Sequence, residues 1–360
     1  MTETGSSQQG RKQSFEEALD KADSAVAAFA RDDKTFVHKA RIFLRDYPVA
    51  IPAMVMILSI IVFGIINPNF ITPNTLSVVM KQVTVVGIVA LAQTLIILTA
   101  GIDLSVSAIL VLSSFIMGKI AVDSGVPVPV SVALGLTIAT MMGAVNGVLV
   151  TKVKLPPFIV TLGTLQIFTA LKLWYSKSQS LRSADVQEHA PSLLWFGKPI
   201  TMGSATIIYG VVALILAAIL VSYILRQTAW GRHVYAIGDD PEAAALSGIN
   251  VDRTLIQVYA FAGLICGFAG WVSIGRVGSV SPIGFETADL DSITAVVIGG
   301  TSLFGGRGGV AGSVLGAIIV GVFNTGLVLA RVDNYWQQFA VGCLVIIAVA
   351  LDQWIRRATK

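Results

Sequence analysis

Apolar residues along this chain do not alternate with polar ones. They come in long blocks, each about the length of a helix that crosses a bilayer, which takes about 20 mostly apolar residues for a core of about 30 Å. The blocks predict about ten spans, at roughly 48–66, 82–100, 103–122, 127–150, 157–173, 206–225, 254–275, 290–304, 309–330 and 335–353. The eighth is too short to cross with ease and reads as a broken or re-entrant segment, which is tolerated where protein or a water-filled cavity covers its backbone. The expected fold class is an all-α integral membrane protein, a polytopic bundle of about ten transmembrane helices.

The blocks begin late. Residues 1–47 are polar, and the first apolar run starts near Val49, too deep for a cleavable signal peptide, so the N-terminus is expected to be retained. Ser14 and Glu17 have capping-box spacing, and Phe15, Leu19, Val26 and Phe29 recur near the helical period. Residues 1–47 therefore read as a cytoplasmic segment carrying an amphipathic helix on the membrane or on its own protein. Residues 48–353 read as the transmembrane domain and 354–360 as a cytoplasmic tail. With the N-terminus inside and ten spans alternating, 17 of the 25 lysines and arginines fall inside. Most of that bias comes from the N-terminal segment, with Arg226, Arg356 and Arg357 at span ends as support.

Composition sharpens the picture. The chain is 54% hydrophobic and 13% charged, against about 25% charged residues in soluble globular chains. The net charge of +4 follows from the topology and calls for no nucleic acid. Cys266 and Cys343 both lie in apolar runs, and His38, His189 and His233 are far apart, so neither a disulfide framework nor a metal cluster is suggested. No Ser/His/Asp set or paired-carboxylate site is present, and no catalytic site or cofactor is expected.

The loop 226–253 is the most informative stretch. Asp240 suits an N-cap, Pro241 the first helical turn, and Glu242 the positive end of the helix dipole. Ala243, Ala244, Ala245 and Leu246 favour helix, Ser247 follows, and Gly248 is a natural stop. The result is a separately capped helix of about two turns, too short to persist in water without a surface to lie on. It is either a self-packed loop helix or a knob that inserts into a cytoplasmic partner.

Inside the apolar blocks the polar residues are few. Asp103, in the stretch LTAGIDLSVSA (98–108), is the only charged residue from Gln82 to Gly118. It either caps the third span or contacts the solute or a gate, since ionisable groups within spans are costly unless used. Gln93, Asn146, Thr164 and Asn324, with Thr161 and Gln166, are candidates for interhelical hydrogen bonds or for a polar path through the bundle. The glycine-rich stretch 299–316 has no lysine and so lacks the Gly-Lys-Ser/Thr of a phosphate loop. Its glycines, like Gly143 and Gly147, suit tight turns and close helix approach.

Four segments carry a resemblance: LTAGIDLSVSA, KLPPFIVTLGTL (154–165), GRHVYAIGDDPEAAALSGINVDR (231–253) and VVIGGTSLFGGRGGVAGSVLGA (296–317). In this order they resemble the ribose/xylose/fructose-type permeases of bacterial binding-protein-dependent ABC importers, over about residues 48–353. Ala108, where such permeases often have Gly-Ser after the valine, and the long N-terminal extension are departures. The resemblance implies an inner-membrane translocation subunit for a monosaccharide, with fructose first and ribose or another pentose or hexose as alternatives. It also implies a second permease copy, cytoplasmic ATPase subunits, a periplasmic sugar-binding protein, and a coupling helix at Pro241 to Ser247 that meets the ATPase. An ion-coupled secondary transporter is the rival reading. It would be expected to show several intramembrane acids or broken-helix ion sites, for which one interfacial Asp103 is poor support.

Overall fold

The computed structural model describes residues 50–333 and 335–343 together with Ile346 and Ala350. The expected amphipathic helix before residue 48 and the tail 354–360 lie outside the described residues. Within them the chain is built from helices: α1 (Ala50–Ile66), α2 (Pro73–Leu98), α3 (Val106–Asp123), α4 (Val128–Lys152), α5 (Pro157–Ser176) and α6 (Ser183–His189). A two-stranded antiparallel hairpin follows, β1 (Pro199–Met202) with β2 (Ala205–Ile208). Then come α7 (Tyr209–Gln227), α8 (Ala229–Asp239), α9 (Pro241–Leu246), α10 (Val251–Val277), α11 (Ala288–Ile298) and α12 (Val310–Leu329). Residues 335–343 are helical as well.

Seven of these, α2, α3, α4, α5, α7, α10 and α12, are long and apolar enough to cross a membrane. Their boundaries follow local chemistry. α2, α4 and α5 each start on a proline, whose missing N–H is no loss in a first turn. Thr72 caps α2 by accepting from Thr75 N. That cap sets the start of α2 at Pro73, ahead of the expected 82, because polar residues such as Asn74 and Lys81 belong to the helix although they are not apolar. At 26 residues α2 is about 39 Å long.

The short eighth block is α11, whose 11 residues rise about 16 Å, roughly half the hydrocarbon core. The glycine-rich stretch then turns back as an irregular loop, 299–309, before α12. The sequence expectation of a segment too short to cross is thus met.

α10 is the axis of the bundle and packs against α2, α3 and α4. Its crossing with α4 is close because side chains are missing from it: a Cβ on Gly143 would sit 3.0 Å from Gly263 Cα, and one on Gly147 2.8 Å from Ile256 Cα. Small residues four apart let two helix backbones approach in this way. α1, α4, α5 and α7 turn large apolar side chains outward, among them Ile65, Trp174 and Leu216 at 78%, 77% and 61% exposure. Such surface suits lipid and not water.

Antiparallel succession sorts the connections into two ends. One end carries α6, the hairpin and the Leu181–Val280 bridge. The other carries Leu98 to Ser105, Lys152 with Asp252, α8, α9 and the 299–309 loop.

Candidate functional site

At the second end, the loop between α2 and α3 enters the bundle. Asp103 is 2% exposed. Its Oδ1 accepts from the Ser105 backbone N–H at 2.7 Å and the Ser105 hydroxyl at 2.6 Å. It therefore orders the turn leading into α3 and places negative charge at that helix's N-terminus, but the N-cap position itself falls to Ser105. A tertiary contact joins this local one: Asn146 of α4 donates to Ser105 Oγ at 2.8 Å and to Asp103 Oδ2 at 3.4 Å. Thr161 of α5 donates to the Ile102 carbonyl at 3.1 Å. Three helices thus converge on one charged turn.

Hydrogen-bonding capacity is left over around it. Asn146 Oδ1 and the Tyr259 hydroxyl, which lies against Gly101, have no partner among the described residues. Gln93 is fully buried with both amide atoms unpartnered. A buried polar group without a partner costs about 1–3 kcal/mol, and native structures carry few of them without a reason. Asn146 and Asp103, named separately in the sequence, are brought together. Thr164 is buried nearby on α5 and bonds back to the Thr161 carbonyl at 3.4 Å. Asn324 is half-buried on α12 with no hydrogen bond among the described residues and does not join the cluster.

Outside the spans, α8 and α9 form a compact pair. Thr228 caps α8 by accepting from Gly231 N. Gly231, Val234, Ile237 and Gly238 of α8 are buried along one face, as an amphipathic helix requires. α9 forms as its sequence predicts. Asp240 Oδ1 accepts from Glu242 N at 2.9 Å and Ala243 N at 3.0 Å, and Gly248 closes the end in the left-handed region with φ 84°. The alanines do not share one face. Ala244 is 4% exposed and packs inward, whereas Pro241, Glu242, Ala243 and Ala245 point outward and Leu246 is 91% exposed. The outward surface of α9 is thus carried by Leu246 and its neighbours and not by Ala244.

Sequence reasoning missed the joint beneath this pair. Gly238, at the end of α8, lies against the Leu98 carbonyl at the end of α2 and against the 299–309 loop. Gly306 N donates to Leu98 O at 3.0 Å, and Tyr235 donates its hydroxyl to Gly308 O at 3.0 Å. Burial pushes the Tyr235 phenol pKa up, so its donating proton is retained. α9 is one residue beyond α8, and the Asp103 turn starts directly after Leu98. The end of α8, the end of α2 and the 299–309 loop are thus joined by backbone in contact with backbone.

A bundle of long apolar helices with a buried polar cluster and a capped helix pair at one end has the architecture of a multi-pass membrane protein. The chain belongs to the family described as the permease component of branched-chain amino acid transport systems, whose model matches residues 75–349. It is similar to the fructose import permease protein of Rhizobium meliloti, 51% identical over 346 residues that cover 96% of each chain. It is 37% identical over 302 residues to the ribose import permease protein of Bacillus subtilis, covering 84% of this chain and 92% of the relative. A D-allose transport system permease protein of Escherichia coli is 34% identical, with 84% and 91% covered. No solved structure matches the chain.

Proposed function

We propose that this chain is the translocation subunit of an ATP-driven monosaccharide importer of the bacterial inner membrane, with fructose as its solute. The observation that carries this reading is the 51% identity to a fructose import permease across 96% of both chains. Ribose and allose permeases stand further off. A periplasmic binding protein delivers the sugar, two copies of the chain form the path, and ATP is hydrolysed on separate cytoplasmic subunits. The chain itself has no catalytic role.

The end that carries α8 and α9 faces the cytoplasm, and both termini lie on that side. Residues 226–253 are the coupling loop. Within it the segment Asp240 to Gly248 meets the ATPase, with Leu246 seated in the partner and Asp240 and Gly248 holding the helix in shape. Movement of α9 is passed by Gly238 to the end of α2, and from there to Asp103 and Asn146. The unpartnered amide of Gln93 and the unpartnered Oδ1 of Asn146 supply hydrogen bonds to a hydroxylated solute passing through a bundle that is otherwise apolar.

The test is uptake of radiolabelled fructose in cells lacking this chain and in cells that have it restored, competed with ribose, xylose, allose and glucose. Fructose uptake that depends on the chain, on ATP and on the binding protein supports the reading. Uptake that persists without the binding protein and collapses with the proton gradient would refute it.

A further inference from the structure

A cavity of about 190 Å³ opens between α3, α5 and the segment that leads into α11. At about 30 Å³ per water this is room for roughly six waters, a space suited to a small polyol and too small for a peptide. α5 lines it with Gln166, Thr169 and Lys172, three residues apart and so on one face of the helix. α3 contributes Ser107, and the approach to α11 contributes Phe285 and Glu286.

Three observations mark this as a built site. Lys172 is 5% exposed overall, but its ammonium tip is not a fully buried atom: it donates no hydrogen bond among the described residues and faces the open cavity. Its electrostatic partner is Glu286, which also lines the cavity, and the two do not close into an ion pair. Glu286 is exposed at the rim and Lys172 lies deeper, so across the open cavity they leave an acceptor and a donor for a neutral, hydroxyl-rich molecule: hydroxyl oxygens accept from Lys172, and hydroxyl protons go to Glu286. Phe285 is the third. Its φ of 59° is an outlier for an aromatic residue, a backbone strain of the kind found at ligand clamps. The Arg276 guanidinium, 5.7 Å from the ring centroid, holds the ring in place. An aromatic wall beside convergent polar groups is the common make-up of a small-molecule site.

We propose that Gln166, Lys172 and Glu286 contact the transported sugar directly, as a polyol-binding station on the translocation path distinct from the Asp103 cluster. This rests on the monosaccharide-import reading above. The test uses the full complex with its ATPase and binding protein in proteoliposomes. Lys172→Met and Glu286→Gln should each lower sugar uptake by about tenfold, the loss of one hydrogen bond to a charged group, in complexes that still co-purify with the ATPase. Trp174→Leu, on the outward face of the same helix, should keep wild-type uptake. In a chain with Cys266→Ala and Cys343→Ala, Thr169→Cys should react with a membrane-impermeant thiol reagent, and transported sugar present during turnover should slow that reaction severalfold. Wild-type uptake in both charge variants, or labelling at an unchanged rate with sugar, would overturn the station and leave the import reading intact. A wild-type complex that takes up no monosaccharide would overturn both.

Discussion

Gly238→Ala is the sharpest probe of how a push on α9 reaches the membrane. An added Cβ would lie 2.6 Å from Gly306 N and 2.9 Å from the Leu98 carbonyl carbon, and closer still to the Leu98 oxygen. Ordinary contact is about 3.5 Å, so the end of α8 must separate from the end of α2 by considerably more than about 1 Å. The neighbours are backbone and cannot swing aside as a flexible side chain would. Overpacking of this kind costs about 1–3 kcal/mol, and the displacement strains the Gly306 to Leu98 hydrogen bond, worth about 1 kcal/mol. A combined cost of about 2–4 kcal/mol shifts the balance between engaged and disengaged joint by about 30- to 900-fold. α9 lies outside the clash, so its docking should survive. The expected result is normal co-purification with the ATPase, ATP hydrolysis near the wild-type rate, and sugar moved per ATP reduced by at least tenfold in proteoliposomes. Gly163→Ala, where an added Cβ meets nothing within 4 Å, is the control and should transport normally. Uptake by Gly238→Ala within twofold of wild type, with the substitution verified in the purified complex, would refute the idea that this joint transmits motion.

Other predictions follow from the same geometry. Asp103→Asn keeps an acceptor for Ser105 N and should retain much of the transport, whereas Asp103→Leu strips partners from the Ser105 N–H and Asn146 and should lower the detergent-solubilised thermal midpoint and uptake together, at a cost of about 1–3 kcal/mol. If the asparagine variant assembles normally and yet transports nothing, the charge itself is required. Leu246→Asp removes an apolar side chain worth about 1.5–3 kcal/mol when buried and should weaken ATPase co-purification by about 10- to 100-fold, with insertion in the membrane unchanged. Ala244→Glu, by contrast, should destabilise the loop, because that side chain points inward; equal loss of docking from both changes by partner contact alone, with the loop intact to proteolysis, would contradict the assignment of faces. A reporter fused after Lys360 should be active only when folded in the cytoplasm, and activity confined to the periplasm would reverse the proposed orientation.

The sequence by itself determined what depends on near neighbours and on solvent. Block length set the spans, because a bilayer core demands a minimum helix length, and it marked the segment that became α11 as too short. The chemistry of Asp240, Pro241 and Gly248 set α9, because a cap is made between residues two or three apart. The start of α2 was misplaced by nine residues, since Thr72 and Pro73 decide it and hydropathy does not register them.

Only the tertiary structure decided which residues meet. The spans are apolar on nearly every face, so they lack the polar stripe that tells a soluble helix which side is out. Crossings are instead chosen by shape, as at Gly143 against Gly263, and shape is a property of pairs. That is why Asp103 and Asn146, 43 residues apart, were separate suspicions until α4 packed beside the α2–α3 turn. Lys172 left a signal, a lysine within a predicted span, but its counterpart Glu286 lies more than a hundred residues later, and only the packing of α3 and α5 beside the approach to α11 puts both on one cavity. The same holds for Ala244: three alanines in a row state that a helix forms, and only the body beneath it determines which of them is covered.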